Sequence, residues 1–368
     1  MMKKICHFTT VHFRYDTRIF YRECKSIAKK GFETLLYVAD DKEAETIDGV
    51  NIRSIGKPKN RFTRILFSTF KMFLTVQKEK ADIYHFHDPE LIFVGFLLKL
   101  KGKKVIYDIH ENIIDQIKTK DWIPFKLNFF FSKFYSILIP LICQKIPLIL
   151  AENSYLNDYQ NYSKRLTLVL NKPELTEFIK FKSNNRKRND IFYIGSITLD
   201  RGFDKFWKVM DLINKEYPKI KMHLIGKVEL PRNILYQYQK RENIIIYGRK
   251  SLKKGYEISR KCGIGISILL PTGNYLKSYS TKIFEYMAIR MPFIVSDFPL
   301  YNNVVKKPQT GLTVDSADVN DIVEKILLLI KDRKLYKEIQ QNQKEFIKKF
   351  NWRTEEKKLF NLYDDLLE

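Results

Sequence analysis

Glu285 sits in the run Ser280-Thr281-Lys282-Ile283-Phe284-Glu285-Tyr286-Met287-Ala288, which has helical spacing. Ser280 or Thr281 can cap a helix N-terminus, because a hydroxyl there accepts a free backbone N–H. Ile283, Phe284, Met287 and Ala288 give an apolar stripe. A carboxylate beside that stripe either complements the helix dipole or holds a ligand's hydroxyls. The bare N–H groups of the same helix end can receive phosphate oxygens. Gly195, with Arg201 six positions on, is a second candidate: the glycine permits close backbone approach, and a guanidinium can hold phosphate by two parallel bonds. A third is a pair of β-prone runs ending in His85-Phe86-His87-Asp88 and Asp108-Ile109-His110-Glu111. These ligand types fit zinc, but there is no helical H-x-x-x-H, and no metal site is expected. No residue stands out as a covalent nucleophile.

Positioning these groups takes alternating strands and helices. Lys4-Ile5-Cys6-His7-Phe8 reads as a first strand, Asp16 to Gly31 as a helix, and Thr34-Leu35-Leu36-Tyr37-Val38 as a second strand. This spacing predicts a parallel sheet with right-handed crossovers, with ligands at the carboxyl ends of its strands. The first loop has no glycine and is not a dinucleotide fingerprint; Arg14, Asp16 and Arg18 occupy it instead. Residues 57–80 are expected to form one amphipathic helix. Phe62, Ile65, Leu66, Phe70 and Phe73 lie on one side, and Arg61, Arg64, Lys71 and Lys78 on another. Such a helix either packs on the sheet or meets anionic lipid. Trp122 to Lys145 is aromatic and basic, and serves either the same lipid face or a core and cleft-closing role. Asn171-Lys172-Pro173 reads as a connector, after which the pattern restarts. Strands are expected at 191–195, 221–225, 243–249, 263–267 and 293–296, helices at 203–216 and 320–348, a polar loop at 184–189, and a last helix from Trp352 to Leu367.

The phrase S-T-K-I-F-E-Y-M-A-x-x-x-P-F-I-V-S-D resembles the nucleotide-sugar motif of family 4 glycosyltransferases. Y-D-T-R-I-F-Y-R-E-C-K-S-I-A-K-K-G-F-E is similar to that family's opening, and V-I-Y-D-I-H-E to the segment carrying its histidine beside the donor sugar. The resemblance implies an α/β protein of the GT-B fold, two Rossmann-like domains with a cleft between them. Residues 1–170, joined by helix 352–368, would be the acceptor domain, and 171–351 the nucleotide-sugar donor domain. By the same resemblance Glu285 holds the ribose and His110 contacts the donor sugar. Arg201, Gly195 and the helix end at Ser280, Thr281, Lys282 and Ile283 meet the diphosphate, and Tyr247 and Gly248 line the base pocket. Arg14, Asp16, Arg18 and His87 would face the acceptor. In two departures, Lys277 stands where the family has a second glutamate, and Ser196 where many members have an arginine. The implied reaction is retaining transfer of a sugar from a nucleotide-diphosphate donor to an acceptor hydroxyl, with no metal required, in cell-surface polysaccharide or glycolipid synthesis. The acceptor would be a saccharide or lipid-linked saccharide.

Composition bounds this reading. The 368 residues carry 66 Lys+Arg against 42 Asp+Glu, a formal charge of +24, and 45% hydrophobic residues, enough for two ordinary cores. Residues 1–170 hold 28 of the basic and 18 of the acidic residues, so the excess is not a tail. A basic chain suits anionic substrates, anionic lipid or nucleic acid. The even spread disfavours nucleic acid, which would need a localised patch with aromatic platforms. The four cysteines are far apart and suggest lone thiols in a reducing compartment. No run suits a signal peptide or spanning helix. A cytoplasmic protein, peripheral on the inner face of the plasma membrane, is expected. Two other function classes stay open: a nucleotide-sugar 2-epimerase of the same architecture, and a basic nucleic-acid-binding protein.

Overall fold

The computed structural model describes residues 2–110, 140–182 and 189–368, with the side chains of 273 and 274 outside the description. The chain forms two compact units, one of residues 1–171 with 352–368, the other of residues 172–351.

The first unit is built on an eight-stranded sheet: β1 (Lys4–Phe8), β2 (Glu33–Val38), β3 (Glu45–Ile47), β4 (Val50–Ser54), β5 (Ile83–Phe86), β6 (Lys104–Ile109), β7 (Leu148–Leu150) and β8 (Leu166–Leu168). The order is β3-β4-β2-β1-β5-β6-β7-β8. All pairings are parallel except β3 with β4. Residues of β1, β2 and β5 are buried along nearly their whole length, as parallel strands covered on both faces require. The strand order reverses between β1 and β5, which is where an open sheet of this kind presents its ligand crevice. The β3–β4 hairpin, absent from the sequence reading, turns through Asp48-Gly49, both at positive φ of 51° and 80°. A short Asp-Gly link favours this turn because its backbone matches the strand twist.

After β1 the chain is π-helical over Ile19–Cys24 and α-helical over Lys25–Lys30, and stops at Gly31 with φ 100°. The π-turn buries Arg22, Glu23 and Cys24 in succession. The expected helix over 57–80 is corrected at its start. Asn60 caps it through a reciprocal bond with Thr63, so it begins at Arg61. A π-helical stretch, Arg64–Ser68, interrupts it before Thr69–Val76. The extra residue of that turn shifts the stripe: Met72 and Val76 are buried, whereas Phe62, Ile65, Leu66, Phe67 and Phe70 are exposed. Arg64 leaves the outer basic face and pairs with Glu90 at 3.0 Å. The expected aromatic segment 122–145 falls outside the described residues up to 139; Ile142 and Cys143, just beyond, are buried in the core. The polar loop at 184–189 lies outside the description except for Asn189.

The second unit has six parallel strands: β9 (Ile191–Ile194), β10 (Met222–Ile225), β11 (Ile244–Ile246), β12 (Ile264–Ser267), β13 (Phe293–Ser296) and β14 (Leu312–Val314). The order β11-β10-β9-β12-β13-β14 reverses between β9 and β12. Helix Thr281–Ala288 joins β12 to β13 and buries its apolar residues. Its close approach needs a glycine: a Cβ at Gly265 would come within 2.7 Å of the Tyr286 ring. The Tyr286 hydroxyl donates to the Ile266 carbonyl at 3.1 Å. Helix Phe206–Glu216 starts three residues later than expected, and the pair Val319–Lys331 and Arg333–Lys349 completes the unit. Helix Trp352–Leu367 belongs to the first unit. There Trp352 Nε1 donates to Ser26 Oγ at 2.7 Å, and Glu355 accepts the Leu170 N–H at 2.9 Å. Among the described residues no helix is long and apolar enough to cross a membrane.

Candidate functional site

In the second unit the candidate residues gather at the carboxyl end of β9, beside its switch point. Gly195, the residue after β9, has φ 141°. A Cβ there would lie 2.7 Å from Lys282 Cε and 3.2 Å from both Arg201 Nη1 and the Tyr193 hydroxyl. The missing side chain is therefore what lets an arginine and a lysine from different elements reach the same point. Gly226, after β10, makes the neighbouring constraint, because a Cβ on it would overlap the Gly195 carbonyl. Arg201 ends the short 3-10 turn Leu199–Arg201 and lies 6.0 Å from the Tyr275 ring centroid. Tyr275 in turn donates to Asp200. Lys282 lies 5.4 Å from the Tyr193 ring centroid. Burial and then the Arg201 charge push its ammonium down to about 7, against a weaker upward pull from Glu285.

Glu285 is one helical turn beyond Lys282 and buried. Tyr256, itself fully buried among Phe178, Phe181 and Phe192, donates its hydroxyl to the Glu285 carboxylate. A buried carboxylate anchored by a phenol is a fixed acceptor rather than a mobile surface charge. The helix end differs from expectation in one respect. Ser280 occupies the cap position, but no side chain caps the helix. Its hydroxyl pairs with Ser267 Oγ at 2.7 Å. Ile283 buries its side chain, and its N–H already donates to the Ser280 carbonyl at 3.2 Å. The remaining N–H groups belong to Thr281 and Lys282. Tyr247 is bonded to His223 at 2.9 Å, and Gly248, at φ 66°, accepts the Gly226 N–H. Both thus lie beside the Gly195–Gly226 approach. Lys277 is exposed in the loop before the helix.

The first unit gathers a different set. Asp108, at the end of β6, accepts two bonds of 2.8 Å from Arg18. Its Oδ2 is 2.7 Å from His110 Nε2 and 3.3 Å from His87 Nδ1. Burial would raise this carboxyl, but the Arg18 and His110 charges hold it well below the ordinary range. His110 is thereby oriented, with its ring 4.7 Å from that of His12. His87 is buried, and burial lowers its imidazole to about 4. Asp88 pins the first loop by accepting from Thr9 and Val11 at 2.8 and 3.2 Å, together with Thr10.

The other acceptor-side candidates are braces. All five N–H donors of Arg14 are committed, to Asp40, Glu45 and the carbonyls of Lys42 and Glu43. Arg18 also donates to the Val169 carbonyl at 2.7 Å and to Asn171 at 3.1 Å. Asp16 accepts the N–H groups of Arg18 and Ile19 at 2.8 and 3.0 Å and so starts the helix. The sequence reading passed over His7, His12, Glu23 and Tyr256. The parallel register His7↔His85 supplies one signal, since two histidines at matching positions of adjacent strands face the same way.

Comparison with known proteins follows the same division. Residues 176–346 match the family model described as "Glycosyl transferases group 1". An uncharacterized glycosyltransferase of Methanocaldococcus jannaschii, MJ1178, is 31% identical over 124 residues, which cover 31% of this chain and 34% of the relative. The aligned region thus spans about a third of that relative's length. Among solved structures, sucrose-phosphate synthase of Thermosynechococcus elongatus superposes with a TM-score of 0.75 at 14% identity, covering 99% of each chain. A glycosyltransferase of Rickettsia africae gives 0.73 at 15%, covering 100% of this chain and 99% of that one. Anabaena HepE, solved in complex with UDP and glucose, gives 0.73 at 10%, covering 99% and 100%. The fold is GT-B. Arg201, Lys282 and Glu285 all lie within the matched stretch.

The lowered Lys282 ammonium has a signed consequence. Its ordinary value of 10.5 applies to the unfolded chain, and about 7 to the folded one. Between those limits the unfolded state binds more protons, so the cost of burying Lys282 shrinks as pH rises. The stability difference between Lys282→Met and wild type, measured by urea denaturation, is expected to move in favour of wild type from pH 7 to pH 10 and to be flat below 7. A difference constant across that window would refute the assignment.

Proposed function

We propose that the chain is a retaining glycosyltransferase of the family 4 type. It would move a sugar from a nucleotide-diphosphate donor to an acceptor hydroxyl, in cell-surface polysaccharide or glycolipid synthesis. The observation that carries this reading is the convergence of Arg201 and Lys282 on Gly195, with Glu285 one turn along the same helix. Two cations beside bare helix N–H groups suit a diphosphate, whose charge grows as it leaves. Lys282 supplies the second cation that Ser196 does not. Glu285, held by Tyr256, takes the ribose hydroxyls. A nucleotide donor is further supported by HepE, solved with UDP and glucose, and by an E. coli protein solved with UDP-2-fluoro glucose.

His110, oriented by Asp108, would contact the donor sugar, and half-buried His12 beside it would meet the acceptor. Arg14 and Arg18 position the loop between them rather than touching substrate. With charge stabilisation supplied by Arg201, Lys282 and the helix end, transfer needs no added divalent ion.

Glu285→Gln keeps the size but removes charge-assisted bonds worth ~1.5–3 kcal/mol, so affinity for the nucleotide donor falls roughly ten- to a hundredfold. Calorimetric titration with a panel of nucleotide sugars reads this directly, and unchanged affinity would sink the ribose assignment. Arg201→Ala is expected to lower kcat more than it weakens donor binding, because its contact strengthens in the transition state. Steady-state assays in EDTA separate the two parameters. A pure KM effect would make Arg201 a binding group only, and donor turnover without acceptor would point to the 2-epimerase reaction.

A second observation bears on the acceptor. Exposed Phe62, Leu66, Phe67 and Phe70 share a helix with exposed Arg61 and Lys71, preceded by exposed Lys57 and Lys59. Apolar insertion with adjacent cations suits an anionic membrane surface, each basic residue near it contributing ~1 kcal/mol. The acceptor would then be lipid-linked. Cosedimentation with anionic vesicles at low salt is expected, with release at high salt and loss in the Lys59→Gln, Arg61→Gln, Lys71→Gln triple variant. Indifference of the wild type to such vesicles would remove the lipid inference and leave the donor site standing.

A further inference from the structure

Five of the chain's six histidines lie in the first unit, and three of those, with Glu23 and Asp108, form one buried cluster. His7 on β1, Glu23 on the π-turn, His85 on β5 and His87 just beyond it are all fully buried. One ligand atom from each lies within 4.8 Å of every other. His223, in the second unit, shows what a buried structural histidine looks like here: both its ring nitrogens are partnered, by Tyr247 at 2.9 Å and Asp190 at 3.5 Å. His85 is different. Its Nδ1 is 2.6 Å from the Tyr363 hydroxyl, but its Nε2 is buried with no partner. A bare lone pair in a core is costly, as is any buried polar atom left unpaired.

The surrounding bonds set which nitrogens are bare. Asp108 draws the proton of His87 to Nδ1, at 3.3 Å, leaving a lone pair on Nε2. Tyr363 oxygen lies 3.1 Å from His7 Nε2 and 2.6 Å from His85 Nδ1, and can accept from both. His7 Nδ1 then also carries a lone pair, 3.0 Å from that of His87 Nε2. Two facing lone pairs repel unless a proton or a cation lies between them. A proton shared by His7 and His87 satisfies only that pair and leaves His85 Nε2 bare. A cation satisfies all three. Nitrogens bound to one tetrahedral zinc sit roughly 3.3 Å apart, given bonds of about 2.0–2.1 Å. Glu23 adds an oxygen 3.9 Å from His7 Nδ1. Glu23 Oε1 is also 3.1 Å from the Arg18 guanidinium.

We propose that His7 Nδ1, Glu23, His85 Nε2 and His87 Nε2 form a closed structural site for a zinc-class divalent cation. Three nitrogens exclude magnesium and calcium, which take oxygen. Four protein ligands leave no open position for substrate, so the ion cross-links β1, the π-turn and β5 without joining the chemistry. The three imidazoles have outer partners that orient them, Tyr363 for His7 and His85 and Asp108 for His87, whereas both Glu23 oxygens are buried without a hydrogen-bond partner. Burial means that the ion enters during folding and resists chelators in the native state. The site is therefore compatible with sugar transfer in EDTA and does not depend on the glycosyltransferase reading.

The full chain, expressed in zinc-supplemented medium and gel-filtered through EDTA, is expected to retain on the order of one zinc per molecule by elemental analysis. Glu23→Gln and His85→Gln are expected to lose most of it while keeping the wild-type circular dichroism. Because either variant can fail to fold, wild-type protein is also unfolded in chelator and refolded with Zn2+, with Co2+ or with neither. Refolding with zinc should raise the melting temperature, and cobalt should give the visible absorption of four-coordinate Co(II). Two outcomes would overturn the site. One is a wild type that refolds without metal to the same melting temperature as with zinc. The other is a folded His85→Gln variant holding the same zinc as wild type, which would mean an adventitious ion only.

Discussion

The doubly bonded ion pair between Arg18 and Asp108 holds the first unit's crevice together. Both partners are buried, the arginine on the turn after β1 and the aspartate at the end of β6. A charge pair in such surroundings is costly to desolvate and is stable only when its other bonding positions are filled. They are filled here: the guanidinium reaches the Val169 carbonyl and Asn171, and the carboxylate takes His110 and His87. One interaction therefore fixes the exit of β6, the start of the first helix and the backbone at Val169 to Asn171. It also sets the orientation of His110. The histidine cluster lies directly behind this pair, and its proton positions are inherited from Asp108.

The second unit solves its positioning problem by leaving atoms out. Gly195 and Gly226 stack their backbones so closely that a single methyl group at either would intrude. The space this opens at the β9 switch point is filled by the ends of Arg201 and Lys282. Both cations sit against tyrosine rings, near Tyr275 and Tyr193 respectively. Partial removal from water strengthens every charge interaction at the site, and also makes Lys282 titrate near neutrality. The same helix carries Glu285, whose carboxylate is tied down by a phenol from Tyr256. A helix already buried by its apolar residues is a rigid carrier, so its polar residues keep their spacing to whatever binds.

Helical and strand periodicity, and the parallel α/β class, follow from the sequence because they rest on local spacing. Ser280 to Ala288 reads as a buried helix from its stripe alone, and β1, β5 and β6 read as strands running into polar ends. Gly195 and Arg201 are legible because they follow a strand and end a turn, and Glu285 because it is the one carboxylate beside the helix's apolar stripe. The capping serine was legible as a residue type but not as a bond, since its hydroxyl found Ser267 across a strand. The exposed face of helix 61–76 was displaced by a π-turn that no periodicity rule anticipates.

What tertiary structure alone decided is which side chains meet. Arg14 and Arg18 look like ligand groups in a glycine-free loop, yet their donors are taken by Asp40, Glu45 and Asp108, up to 90 positions away in the chain. Lys282 becomes the partner of Arg201 only because β9 and β12 are neighbours in the sheet. His7, Glu23, His85 and His87 come together only when β1 pairs with β5, and Tyr363 joins them from a helix 278 residues beyond His85. Local spacing determines elements because it acts over one turn or one pleat. Charge and hydrogen-bond partners are chosen by long-range strand order and burial, which the linear sequence does not display.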